Sequence, residues 1–138
     1  MNMQILKGTL FGGIVYFFLG WIIYGIILAD FSAANFNQCM NRPDMEMIWW
    51  AMIVSCFVYA LFLTLFLKGQ GASSWLDGLK IGALFGCLFT LTIDMSFYSM
   101  TTMYSSFSGI LVDIVAASVS AAIVGIAIVL LWGKAKTA

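Results

Sequence analysis

The stretch GTLFGGIVYFFLGWIIYGIILA, residues 8–29, contains 22 consecutive uncharged residues between Lys7 and Asp30. Since an α-helix rises 1.5 Å per residue, a run of this length reaches across the ~30 Å of hydrocarbon in a bilayer. Two further uncharged runs, residues 47–67 and 114–133, are of similar length. These three runs predict three transmembrane helices.

A fourth apolar run, around residues 79–98, is long enough to cross a bilayer only if Asp94 is accepted inside it. Open sheet edges are not tolerated in lipid, so helices are the expected form. The sequence therefore predicts an all-α membrane protein, a compact bundle of four transmembrane helices. We expect a single domain over residues 1–138, with helices at about 6–29, 47–67, 79–100 and 109–132.

The composition agrees with a membrane location. The chain is 63% hydrophobic and only 9% charged, against roughly 25% charged residues in soluble domains. Six basic and six acidic residues cancel, so no nucleic-acid partner is indicated. The lipid bilayer is the first expected partner.

The basic residues predict the orientation. With four spans, five of the six basic residues fall on one side, and only Arg42 falls on the other. Lys and Arg accumulate in cytoplasmic segments, so both termini are expected to be cytoplasmic. The five residues are Lys7, Lys68, Lys80, Lys134 and Lys136.

The chain lacks the residues that several kinds of catalytic and cofactor site require. The chain has no histidine, and its three cysteines form no Cys-X-X-Cys pair. His-based haem, zinc and copper sites, His-dependent nucleophiles and thiol oxidoreductase motifs are therefore excluded. We expect a protein that is not an enzyme and that has no cofactor and no metal site.

Small residues recur at four-residue spacing in the last two predicted helices. Such residues let helix backbones approach closely in lipid. Two interpretations remain open: ordinary packing within one small bundle, or a channel or dimerisation surface. The candidate packing residues are Gly78, Gly82, Gly86, Ala117, Ala121 and Gly125.

Asp94 is a carboxylate inside the fourth predicted transmembrane helix. Intramembrane carboxylates usually face the bundle interior, and Thr90 and Tyr98, one turn away on either side, can donate hydrogen bonds to it. Asp113 returns to the same depth if the hairpin turn is centred near residues 103–104; otherwise it is interfacial. In one reading Asp94 locks the bundle through neighbouring hydroxyls. In the other, an outer polar pocket is lined by Tyr24, Asp30, Asp94 and Asp113, with Arg42 as counter-charge.

Two stretches carry a resemblance to a known family. GWIIYGIILADFSAAN (20–35) and DGLKIGALFG (77–86) resemble an uncharacterised family of small four-helix bacterial membrane proteins. Its first helix usually carries adjacent Trp-Tyr-Gly; here Ile23, Tyr24 and Gly25 stand at those positions and Trp21 is displaced by two. The resemblance implies a multi-pass protein of the bacterial inner membrane, and it implies no activity.

Two functions fit these observations. The first is a non-enzymatic protein that acts by binding, either as a subunit of a larger membrane assembly or as host of an apolar, lipid-like ligand. The alternative is a small proton- or cation-linked transporter or channel, which we expect to be a homo-oligomer. Close-packing helices and short loops favour the first, whereas intramembrane carboxylates favour the second.

Overall fold

Four long helices make up most of the protein. The computed structural model describes residues 2–133; Met1 and residues 134–138 lie outside it, including Lys134 and Lys136, which contribute to the predicted orientation. The helices are α1 (Met3–Ile22, continued by a π-helical turn, Ile23–Ile27), the short α2 (Ala29–Asn35), α3 (Trp49–Gly69), α4 (Trp75–Met100) and α5 (Phe107–Trp132). Helices α1 with its π-helical turn, α3, α4 and α5 are each long and apolar enough to cross a membrane. The predicted all-α class with four such helices is confirmed.

Helix α4 begins at Trp75, four residues before the expected start. A capping box accounts for the extra turn: the Ser74 hydroxyl accepts a hydrogen bond from the Asp77 amide at 3.2 Å, and the Asp77 carboxylate accepts one from the Ser74 amide at 2.9 Å. These bonds satisfy amides that would otherwise have no partner at the helix start. Helix α5 also begins early, at Phe107 rather than residue 109.

The connections gather at the two ends of the bundle. Residues 28–48, which contain α2 and two short 3-10 turns, lie with residues 101–106 at what we call the hairpin end. Residues 70–74 and the two ends of the described chain lie at the terminal end. There the Trp132 indole N–H donates to the carbonyl oxygen of Gln4 at 2.8 Å. This bond ties the end of α5 to the start of α1.

Helices α4 and α5 form the closest pair. The six small residues predicted for helix packing meet in antiparallel order, Gly78 beside Gly125, Gly82 beside Ala121 and Gly86 beside Ala117. A Cβ atom added at Gly86 would stand 2.6 Å from the Ala117 carbonyl oxygen. The series is thus used for contact within one chain, and the backbones are close because no side chain separates them.

Helix α1 joins this hairpin to α3. Glycines in its first half face Thr64, Ala60 and Ile128, so α1 lies against both α3 and α5. The fully apolar core occupies the half of the bundle near the terminal end, between α3 and α5, and consists of Leu63, Leu67, Val124, Ile128 and Val129. The half near the hairpin end is packed differently, around polar side chains.

Candidate functional site

The two intramembrane carboxyl groups lie at the same depth. Asp94 precedes the last residue of α4, Met100, by six positions, and Asp113 follows the first residue of α5, Phe107, by six. At 1.5 Å per residue, each lies ~9 Å from its helix end. Of the two alternatives left open by the sequence, the structure has the one in which Asp113 returns beside Asp94, and the two carboxyl groups are adjacent.

Asp94 is almost fully buried, with 2% of its surface exposed. The Tyr104 hydroxyl donates a hydrogen bond to its Oδ1 atom at 2.6 Å. Burial, and then the bond to Asp94, raises the pKa of Tyr104 above its ordinary value, so this hydroxyl keeps its proton. The other oxygen, Oδ2, receives no hydrogen bond from an N–H or hydroxyl group among residues 2–133, and its carboxyl neighbour is Asp113. A buried carboxylate oxygen without a donor is costly.

Asp113 is bound to the first helix. The Tyr24 hydroxyl donates to Asp113 Oδ1 at 2.5 Å, joining α5 to the π-helical turn that ends α1. A π-helical turn inserts an extra residue per turn and redirects the side chains that follow, and such turns are frequent at functional sites. Here the turn carries the tyrosine that holds Asp113.

A cavity of about 320 Å³ lies between the four long helices beside these carboxyl groups. Three tyrosines and a phenylalanine form much of its wall: the Tyr16 and Tyr59 rings stack with centroids 4.1 Å apart, and Phe89 meets Tyr59 edge-on at 5.5 Å. None of the basic side chains that the structure describes lines it. The lining residues are Tyr16, Tyr24, Tyr59, Phe89, Thr90, Ile93, Asp94, Asp113 and Ala117.

A second cleft of about 530 Å³ lies at the hairpin end, between α2, the loop that follows it and the α4–α5 turn. Tyr24 and Asp113 line both this cleft and the cavity. Their hydrogen bond therefore stands between the two spaces. The remaining lining of the cleft is mixed: the polar residues Ser32, Gln38 and Asp44 lie beside apolar ones such as Phe36 and Met103.

Asn35 fixes the hairpin end in place. Its side-chain oxygen accepts a hydrogen bond from the Ser106 hydroxyl at 2.6 Å, and its carbonyl oxygen accepts one from the Ser105 amide at 2.9 Å. Next to it, Phe36 forms an isolated bridge with Tyr104 and contacts its ring edge-on at 5.2 Å. These contacts hold Tyr104 in position to reach Asp94.

The structure brings together three of the five residues proposed for the polar pocket. Tyr24, Asp94 and Asp113 share the cavity, whereas Asp30 and Arg42 are exposed and line neither space. Asp30 lies on α2 and Arg42 in the loop between the two 3-10 turns, and neither segment folds back into the bundle. The expected counter-charge is thus not brought to the carboxyl groups.

The donor to Asp94 also differs from the expectation. Tyr98 is 47% exposed and contacts Phe107, while Tyr104 makes the bond. Helical spacing considers only residues on the same helix, and Tyr104 lies beyond the end of α4, where the chain turns back. One feature of the sequence could have identified Tyr104: it is a tyrosine in an uncharged hairpin turn, ten residues after the intramembrane aspartate. No such signal marked Tyr16, Tyr59 or Asn35.

Comparison with models of protein families identifies the family of this chain. The model of a family described as a protein of unknown function (DUF1761) matches residues 8–131. The chain belongs to this family. The resemblance to an uncharacterised family is thereby confirmed, and the match includes all the residues of the cavity. No curated protein and no solved structure matches the chain.

Proposed function

We propose that this family member is a non-enzymatic membrane protein that binds a small ligand in the cavity between its four long helices. The observation that carries the proposal is the environment of Asp94: its carboxyl group is 2% exposed and lies beside a second carboxyl group, and one of its oxygens receives no hydrogen bond from an N–H or hydroxyl group of residues 2–133. Purely structural buried carboxylates have their oxygens satisfied within the protein. A ligand in the cavity satisfies this one.

The cavity has the general form of a binding site. Its volume, about 320 Å³, falls within the range of small-molecule pockets, and its wall is apolar and aromatic with a few convergent polar groups. The apolar core of Leu63, Leu67 and Ile128 lies in the other half of the bundle, so the cavity is not part of that core.

Native mass spectrometry of protein extracted directly from its membrane into nanodiscs tests this role. We expect wild-type protein to retain a small-molecule adduct, and Ala117→Phe, which fills the cavity, to lose it. Val115→Phe is the matched control, since that side chain on the same helix is 62% exposed on the outside of the bundle. A wild-type protein that retains annular lipid but no adduct contradicts the proposal, as does an adduct that survives Ala117→Phe.

Transport is the second candidate, and the hairpin-end cleft favours it. The cleft and the cavity meet at the Tyr24–Asp113 hydrogen bond, so breaking that one bond would connect Asp94 with the hairpin end. A proton- or cation-linked transporter requires such a route to its carboxyl group. Proton or cation flux into liposomes that is lost in Asp94→Asn supports this candidate, and absence of flux in wild-type protein contradicts it.

The proposed setting is the bacterial inner membrane, with the protein multi-pass and both termini cytoplasmic. The support is the distribution of Lys7, Lys68 and Lys80 on one side of the four spans against Arg42 on the other. A membrane-protein partner or a second copy of the chain remains part of the proposal. The mass of the complex extracted from native membranes, which the same spectra give, tests it.

A further inference from the structure

We propose that the ligand of the cavity is an organic monocation with an apolar body, such as an alkyl or aryl ammonium compound. This inference rests on the binding function proposed above and assigns the chemical class of the ligand. Three features of the cavity carry it: its charge, its aromatic wall, and its size and opening.

The charge of the cavity favours a positive partner. Asp94 and Asp113 both line it, and no basic side chain within residues 2–133 lines either the cavity or the hairpin-end cleft. The hydroxyls of Tyr104 and Tyr24 occupy one oxygen of each carboxyl group. No N–H or O–H group of residues 2–133 donates to Asp94 Oδ2. The adjacent carboxyl groups of Asp94 and Asp113 share one proton between them, which leaves the pair with a single negative charge. Buried charges are paired in proteins, and among the described residues no cation lies beside this one.

The wall of the cavity favours an organic cation over a metal ion. The faces of Tyr and Phe rings attract cations within about 6 Å of the ring centroid, and Tyr16, Tyr59 and Phe89 surround the space. Metal ions instead require several oxygen, nitrogen or sulfur ligands. No group of three or more acidic, Cys or His side chains that could hold a metal ion occurs within residues 2–133.

The size and opening of the cavity favour a ligand with an apolar body. At ~30 Å³ per water, a space of this volume holds on the order of ten waters, or an organic molecule of about ten non-hydrogen atoms. Phe89 and Ile93 line it and are 38% and 39% exposed on the outer surface of α4. In a membrane that surface faces lipid. An amphiphilic cation can therefore reach the cavity from the bilayer, with its charged group toward Asp94.

Benzyltrimethylammonium and its uncharged isostere neopentylbenzene form a matched pair of probes. Radiolabelled benzyltrimethylammonium is measured by scintillation proximity on protein in nanodiscs, with empty nanodiscs as background. We expect saturable binding that neopentylbenzene does not displace. Benzyltrimethylammonium has no N–H to donate, so it measures the ion contact alone. Since close, buried charge pairs are worth at least one factor of ten, Asp94→Asn should weaken binding about tenfold or more.

A second variant keeps the test decisive if Asp94→Asn fails to fold. Phe89→Leu removes a π-face and keeps an apolar side chain, so it should weaken the cation about fivefold. Val115→Phe, on the lipid-facing side of α5, should leave affinity unchanged.

Two results overturn the assignment of charge. Displacement of the cation by neopentylbenzene at equal affinity shows that the cavity recognises shape and not charge, and the binding function then stands. No binding of benzyltrimethylammonium, in protein that retains a native adduct lost in Ala117→Phe, also contradicts only the ligand class. Absence of both the probe and the native adduct contradicts the binding function itself.

Discussion

Replacement of Gly86 by leucine tests whether the close approach of α4 and α5 holds the bundle together. A Cβ atom at this position would stand 2.6 Å from the carbonyl oxygen of Ala117 and 2.7 Å from the Cβ of Ala121. Both distances are well inside van der Waals contact. The Ala117 oxygen belongs to the helix backbone and cannot rotate away, so the two helices must separate.

The expected magnitude follows from two opposing effects. Removing a glycine from a helix interior gains about 1 kcal/mol of helix propensity. Overpacking a well-packed interface costs about 1–3 kcal/mol, and the branched end of leucine adds further clashes to those of the Cβ atom. We therefore expect Gly86→Leu to lower the free energy of unfolding by about 2 kcal/mol, and Gly86→Ala by about 1 kcal/mol or less.

Unfolding in mixed micelles titrated with sodium dodecyl sulfate, followed by tryptophan fluorescence, measures this difference. Gly20→Leu is the matched control, because a Cβ atom there has no neighbouring heavy atom within 4 Å. It should unfold at the wild-type point or later. Equal unfolding of Gly86→Leu and wild-type protein would show that the small residues of α4 and α5 do not form a stabilising contact.

Three further measurements test the hairpin half and the orientation. Tyr104→Phe removes the donor to Asp94 and should destabilise the protein by about 1–3 kcal/mol, whereas Tyr98→Phe, at an exposed ring, should have little effect; equal effects would argue against the Tyr104 bond. Asn35→Ala removes the acceptor of a serine hydroxyl in the α4–α5 turn and should cost about 1 kcal/mol, measured in the same titration; unchanged stability would mean that this bond does not hold the turn. Cys39 is exposed in the hairpin-end connection, so membrane-impermeant maleimide should label it on intact cells; labelling only after lysis would reverse the predicted orientation.

The sequence by itself determined the class of fold and the number of long apolar helices. Uncharged runs of about twenty residues are long enough to cross a bilayer. Because lipid offers the backbone no hydrogen-bond partners, these segments form helices, in which the backbone groups bond to each other. The spacing of Gly78, Gly82 and Gly86 likewise follows from one helix, because residues four apart share a face. Asp94 could be singled out because a carboxylate in such a run is rare and faces the interior.

Only the tertiary structure decided what surrounds Asp94. Tyr104 reaches it from a hairpin turn and Asp113 from a separate helix, while Tyr24, on a π-helical turn, binds Asp113. Their relative positions depend on where each helix begins and how closely α4 and α5 approach. Helical periodicity describes one helix at a time. It therefore favoured Tyr98, on the same helix, as the hydrogen-bond donor to Asp94, and it could not identify Tyr104, which lies beyond the end of that helix. Arg42 stayed in the loop because a charge on an exposed segment is better solvated by water than by a carboxyl group inside the bundle.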